Sequence, residues 1–86
     1  MTEKKIGDDA HFYAKVGVAG IEITDGELRV GDKIRVKGHT SDFTQTVGSI
    51  QIEHDEVEVA KPGDSVGVKV GERAREHDQV FKVTED

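Results

Sequence analysis

One turn recurs along this chain, each time with a strand directly behind it, and nothing else in the sequence limits the fold so tightly. Val30-Gly31-Asp32 runs straight into Lys33-Ile34-Arg35-Val36-Lys37, where apolar and basic side chains alternate. The same grammar returns at Pro62-Gly63-Asp64 ahead of Ser65-Val66-Gly67-Val68-Lys69, and more loosely at His77-Asp78 ahead of Gln79-Val80-Phe81-Lys82-Val83. Glycine reaches backbone angles that other residues resist, and aspartate bonds nearby backbone amides, so each unit reverses the chain tightly. β-Branched residues placed at once after such a turn launch a strand. Three launches within 86 residues predict a β-rich body whose strands are positioned by tight turns.

The rest of the chain fits that frame. Residues 1–9 are expected to form a flexible N-terminal segment with a turn at Gly7-Asp8-Asp9, and residues 10–84 a single β-barrel domain. From His11 onward, Phe12, Ala14, Val16 and Val18 alternate with His11, Tyr13, Lys15 and Gly17, the pattern of a half-buried strand. Gly17 and Gly20 suggest a bend or bulge in it, and Thr24-Asp25-Gly26-Glu27 a turn after it. From Phe43 to Glu53 the apolar phase slips between Val47 and Ile50, which predicts a bulge at Gly48. His54-Asp55-Glu56 can turn the chain, Val57 and Val59 read as a short strand, and Gly71 to Asp78 as a charged loop with room for a helical turn. No longer stretch shows helical periodicity. The fold class is therefore all-β: a small closed or nearly closed antiparallel barrel of six to seven strands, a form that also protects strand edges.

Composition narrows the function classes. The net charge is −6, from 18 acidic against 12 basic residues, which opposes unspecific binding to nucleic acid. No apolar run approaches the length needed to cross a bilayer, so no membrane contact is expected. Met1 to Ile6 lacks the apolar centre of a secretion signal, making a cytoplasmic home the default. Without cysteine there are no disulfides, thiolate metal sites or thiol nucleophile. His11, His39, His54 and His77 stand alone at spacings that do not make a metal site, so neither metal nor cofactor is expected. There is no phosphate-gripping glycine loop, and Asp64-Ser65-Val66-Gly67 is explained by turn and strand. Ser41, Ser49 and Ser65 have no evident base. The chain is expected to be no enzyme, and a monomer.

A binding surface is the remaining possibility. Lys33, Arg35 and Lys37 all oppose Ile34 and Val36, so they should project outward together, with Arg29 close by. Tyr13 and Lys15 form a second outward pair able to stack a base and neutralise a phosphate. An ordinary solvated strand face, with lysines discouraging edge pairing, accounts for the same residues.

Read in order, Gly26 to Val36, Gln45 to Gln51 and Ala60 to Val70 resemble domain 2 of the translational GTPases, the β-barrel found in elongation factor Tu. Gly38 to Gln45 and Gln51-Ile52-Glu53-His54 are also similar to a stand-alone family of translation elongation factor-like proteins, and a similar barrel ends some U32-type peptidases. The resemblance implies a barrel that binds rather than reacts, with RNA (tRNA or ribosomal) or a larger protein such as a GTPase or peptidase as partner. It adds Gln51 to the candidate surface, where the family commonly carries glutamate near the tRNA end. The alternative it implies is a protein-docking barrel that acts with a separate enzyme, as in the U32-type peptidases.

Overall fold

The structure is a computed structural model describing residues 2–53 and 55–84. Met1, His54, Glu85 and Asp86 lie outside the described residues, and with them the expectations placed on His54. The strands are β1 (Thr2–Tyr13), β2 (Val18–Ile23), β3 (Leu28–Arg29), β4 (Lys33–Lys37), β5 (Asp42–Thr46), β6 (Ile50–Ile52), β7 (Asp55–Val57), β8 (Val59–Ala60), β9 (Ser65–Lys69) and β10 (Gln79–Thr84). Six of them are five residues or longer. They form one eight-stranded sheet in the order β5-β4-β10-β1-β2-β9-β6-β7 and a small β3-β8 ribbon. Each pairing is antiparallel.

The recurring turn is built three times by the same bonds. The amides of Arg29, Lys61 and Arg75 donate to Asp32, Asp64 and Asp78 Oδ2 at 2.8, 2.9 and 2.9 Å. The amides of those aspartates return to the carbonyls of Arg29, Lys61 and Arg75 at 3.0, 3.0 and 3.1 Å. The residue before each aspartate takes a positive φ: 96° at Gly31, 95° at Gly63 and 73° at His77. The third turn thus keeps its geometry with a residue whose Cβ opposes it, at a cost of about 1 kcal/mol. His77→Gly is expected to raise stability by about 0.5–1 kcal/mol, less the extra freedom glycine gives the unfolded chain. Thermal unfolding would then shift upward by a few degrees. A lower midpoint would refute the strain.

Behind these turns the inward positions are almost all Ile and Val. Ile34 and Val36 of β4, Val66 and Val68 of β9, and Val80 of β10 are each no more than 3 % exposed. The alternation expected for Lys33–Lys37 holds, with Ile34 and Val36 in the core. The slip near Gly48 is a full interruption rather than a bulge. Val47 leaves the strand but stays buried, held by its amide to the Asp32 carbonyl (2.8 Å) and by its carbonyl to the Gly31 amide (2.8 Å). Gly71 to Asp78 contains no helical turn, but it drops Ala74 into the core.

β5 and β7 end the large sheet, so the barrel does not close through backbone ladders. A side chain bridges the gap beside β5. Gln45 donates from Nε2 to the Lys69 carbonyl at 2.9 Å and accepts from the Gly71 amide at 2.8 Å. One amide side chain carries both partners a strand would offer there, which explains how a nearly closed barrel protects that edge.

Two expectations about the N-terminal third are corrected. Residues 2–9, expected as a flexible lead with a turn, lie within β1, which pairs with β10 on one side and β2 on the other. Gly7-Asp8-Asp9 is no turn; the register instead shifts between Lys5 and Gly7 and again between Asp9 and His11. Those shifts bend a twelve-residue strand around the barrel, so local turn chemistry was outweighed by pairing on both edges. The strand read from His11 onward ends at Tyr13. Its carbonyl accepts the Val16 and Gly17 amides, Gly17 takes φ 67°, and Ala14 and Val16 are exposed in the hairpin loop instead of buried.

Candidate functional site: a groove floored by glycine

The basic stripe on β4 is largely committed within the molecule. Arg35 Nε and Nη2 each donate to Asp42 at 2.8 Å, and Nη1 reaches Glu3 at 3.1 Å. Those carboxylates push the Arg35 pKa up, and Arg35 in turn holds the Asp42 carboxyl below its usual range. Arg29 pairs with Glu27 at 3.2 Å, and Lys33 is engaged as well. Lys37 is exposed and adds to the positive field on Asp42. Lys15 stands exposed in the β1–β2 loop. The outward direction was legible in the alternation. The neutralising partners were not, because Glu3 is 32 residues away from Arg35 in sequence.

Tyr13 and Gln51, by contrast, meet at a groove of about 720 Å³ across the outer face of β1, β2, β9 and β6. The register explains its shape. Gly20 lies opposite His11 on one side and Gly67 on the other, and Gly67 lies opposite Gln51. Paired positions share a face of the sheet, so two adjacent glycines form a floor without side chains. One ridge is Tyr13-Val18-Lys69 and the other is Asp8-Glu22-Ser65. Alternate residues along a strand are about 7 Å apart, which sets the ridges roughly 13 Å apart.

Neither floor glycine is required by the backbone, since the positive-φ glycines are Gly17, Gly26, Gly31 and Gly63. A Cβ on Gly20 would stand 3.3 Å from the His11 carbonyl oxygen and one on Gly67 3.2 Å from Val18 Cγ1, tight contacts at which each neighbour would have to give slightly. Glycine inside a strand costs about 0.5–1 kcal/mol and is used where another group approaches closely, here His11 and Val18 as neighbours with the open groove above. The sequence suggests a bend or bulge at Gly20, and the β1–β2 register does shift beside it, between Asp9↔Ile21 and His11↔Gly20. At the far end Glu53 holds φ 51° and turns the chain out of β6.

The lining is amphipathic and largely unengaged. Tyr13 and Val16 are 51 % and 61 % exposed, an unusual degree for large apolar side chains. His11 packs edge-on against Tyr13 with ring centroids 4.4 Å apart and meets Glu76 at 3.3 Å. The side chains of Glu22, Gln51, Glu53, Ser65 and Lys69 line the groove, and none bonds another described residue. Among the described residues no nucleophile there is paired with a base.

Behind the His11 end lies a buried carboxyl. Asp9 is 1 % exposed, and neither of its oxygens has a hydrogen-bond partner. Its backbone is tied to the third turn, with its amide on the Asp78 carbonyl at 2.8 Å and its carbonyl on the His77 amide at 2.7 Å. Burial raises its pKa from 3.8 to about 6, and Asp78 and Glu76 add to the rise. The His11 amide, too poorly placed for a full bond, and the His11 ring pull the other way. Among the described residues no cluster of His, Asp and Glu could hold a metal ion.

Comparison with known proteins places this face in context. The family pattern of elongation factor Tu domain 2 matches residues 17–80. An uncharacterized protease of Methanocaldococcus jannaschii is 43 % identical over 82 residues, covering 94 % of this chain but 20 % of the relative. A collagenase of Porphyromonas gingivalis is 33 % identical over 78 residues, covering 90 % of this chain and 22 % of the relative. The chain thus spans about a fifth of the length of these curated relatives. Among solved structures, the C-terminal domain of a Geobacillus thermoleovorans protein described as a U32 peptidase superposes with a TM-score of 0.87. It is 23 % identical, with 94 % of this chain and 93 % of that one covered, and the likeness carries the fold. These relatives are peptidase-like proteins and not stand-alone elongation factors, which corrects the finer part of the sequence resemblance.

Proposed function

The chain belongs to the elongation factor Tu domain 2 family, and on that premise we propose that it is a non-catalytic docking barrel serving a peptidase-type protein. The groove over Gly20 and Gly67 is the surface that receives the partner. One observation carries this reading: the groove's unengaged charges are two carboxylates, Glu22 and Glu53, against one ammonium, Lys69. A phosphate backbone would meet net repulsion there, and Arg35, the best phosphate ligand expected from the sequence, is already held by Asp42 and Glu3. A protein surface meets no such barrier. Of the partners the sequence left open, RNA or a protein, these observations support the protein-docking alternative.

Gly20→Val tests this, because it fills the floor while placing a β-branched residue where a strand accepts one. The immobilised chain is incubated with extract of its own organism, with and without nuclease, and the variant is treated alike. The expected result is a protein partner retained after nuclease and reduced at least about tenfold by Gly20→Val. Retention that vanishes with nuclease would favour RNA, and indifference to Gly20→Val would remove the groove from the interface.

A further inference from the structure

The distribution of paired and unpaired carboxylates says what kind of segment the groove takes. Away from the groove, most surface acids are matched within the molecule: Glu3 and Asp42 by Arg35, Asp25 by Lys4, Glu27 by Arg29 and Asp32 by Lys82, with Glu72 an exception. The groove and the β6–β7 edge beside it differ. Glu22 and Glu53, then Asp55, Glu56 and Glu58, make no side-chain ion pair with any described residue. On the groove's outer face, Glu22 and Glu53, with Glu56 beside Gln51 in the register, thus form an uncompensated acidic strip. Across the floor stand Tyr13 and Val18, apolar groups on the opposite ridge.

We propose that the groove's occupant is an extended polypeptide segment in which apolar side chains alternate with lysine or arginine. This deepens the docking reading above and rests on it. The register supplies the fit. From His11 across Gly20 and Gly67 to Gln51 the trench crosses three strand spacings, about 14 Å, the length of roughly four extended residues. An apolar side chain sits on the glycine floor against Tyr13 and Val18. Its basic neighbour turns to Glu22 or Glu53, where desolvation at the groove wall strengthens a charge pair that would be weak in open water. Gln51 and Ser65 supply hydrogen-bonding groups for the segment's backbone. Lys69, on the ridge opposite Glu22, donates to the peptide carbonyls, so the trench has a basic and an acidic wall and orients what lies in it.

The test uses three labelled peptides of about eight residues, alternating valine with arginine, glutamine or glutamate, titrated into the whole chain up to about 1 mM. Anisotropy reports affinity, and the Gly20 and Gly67 amide resonances report the place. The arginine peptide is expected to bind and move both resonances. Its affinity should fall roughly five- to tenfold in the Glu22→Gln, Glu53→Gln double variant, and severalfold between about 0.05 and 0.5 M salt. The glutamate peptide should bind more weakly than the glutamine one. Equal binding of all three, binding by none, or indifference to the double variant each overturns the proposal. A single-stranded RNA oligonucleotide that moves the same resonances overturns it as well. Gly20→Val separates the two levels: if it abolishes partner capture while the peptides are not distinguished, docking stands and the basic occupant falls.

Discussion

Replacing Asp9 by asparagine is expected to stabilise the protein at neutral pH and to leave it unchanged in acid. The folded chain holds the Asp9 proton up to about pH 6, whereas the ordinary carboxyl releases it near 3.8. Between those values the folded state binds the extra proton, so this group's contribution to stability falls as pH rises. It is fully present below about 3.8 and fully lost above about 6. The displacement from 3.8 to about 6 is roughly two pH units, or about 3 kcal/mol once ionisation is complete. Asparagine reproduces the neutral carboxyl in shape and cannot ionise. Urea unfolding of both proteins should give coincident midpoints at the acid end, diverging in favour of Asp9→Asn between about pH 3.8 and 6 and staying apart by a constant amount above that. Parallel curves at all pH values would mean that Asp9 is not carrying an ionisation penalty. The Asp42 carboxyl, held low by Arg35, has the opposite sign: its contribution is present above its ordinary range and is lost in strong acid. It is common to both proteins and cancels in the comparison. The native sequence thus carries a destabilising group at neutral pH, immediately behind the end of the groove formed by His11.

Gly7→Ala is expected to be strongly destabilising. A Cβ at position 7 would overlap the backbone oxygen of Glu22, with the Glu22 carbonyl carbon at 3.1 Å and Ile21 Cγ2 at 3.3 Å. These are neighbouring-strand atoms. Gly7 itself pairs with Ile23 on one side and Val80 on the other, so β1 cannot move away without releasing one of its ladders. Overpacking in a well-packed interior costs about 1–3 kcal/mol, and a backbone obstacle places this case at about 3 kcal/mol or above. Gly48→Ala is the control, since nothing lies within 4 Å of the added group there. Loss of stability in Gly7→Ala with little change in Gly48→Ala is the expected pair of results, measured by urea unfolding at one pH. Equal effects would mean that the close approach of β1 and β2 is not as described.

Both predictions fall on residues 1–9, the segment the sequence offered as a loose lead. Gly, Asp and Asp in a row satisfy every local rule for a turn, and only the presence of β10 and β2 on either side makes them strand. Other parts of the barrel were legible because their signal is local. Gly31-Asp32 and Gly63-Asp64 write out their own hydrogen bonds within four residues, and Ile34, Val36, Val66 and Val68 alternate with exposed neighbours. His77 shows how far that signal carries. The third turn keeps its aspartate and its bonds even where the glycine is replaced.

The candidate surface divides in the same way. That Lys33, Arg35 and Lys37 face outward follows from a period of two. That Arg35 is bound by Glu3 and Asp42, and so withdrawn from any ligand, depends on β5 pairing with β4 and on β1 lying one strand further on, across β10. Tyr13 and Gln51 were chosen as separate outward residues, and register made them two edges of one groove. Turn geometry, strand alternation and the all-β class were therefore determined by the sequence alone, because each arises between residues a few positions apart. The pairing of Gly20 with Gly67, the isolation of Glu22 and Glu53, and the burial of Asp9 were decided only by tertiary structure. Each depends on which distant strand lies alongside, and no local pattern records that.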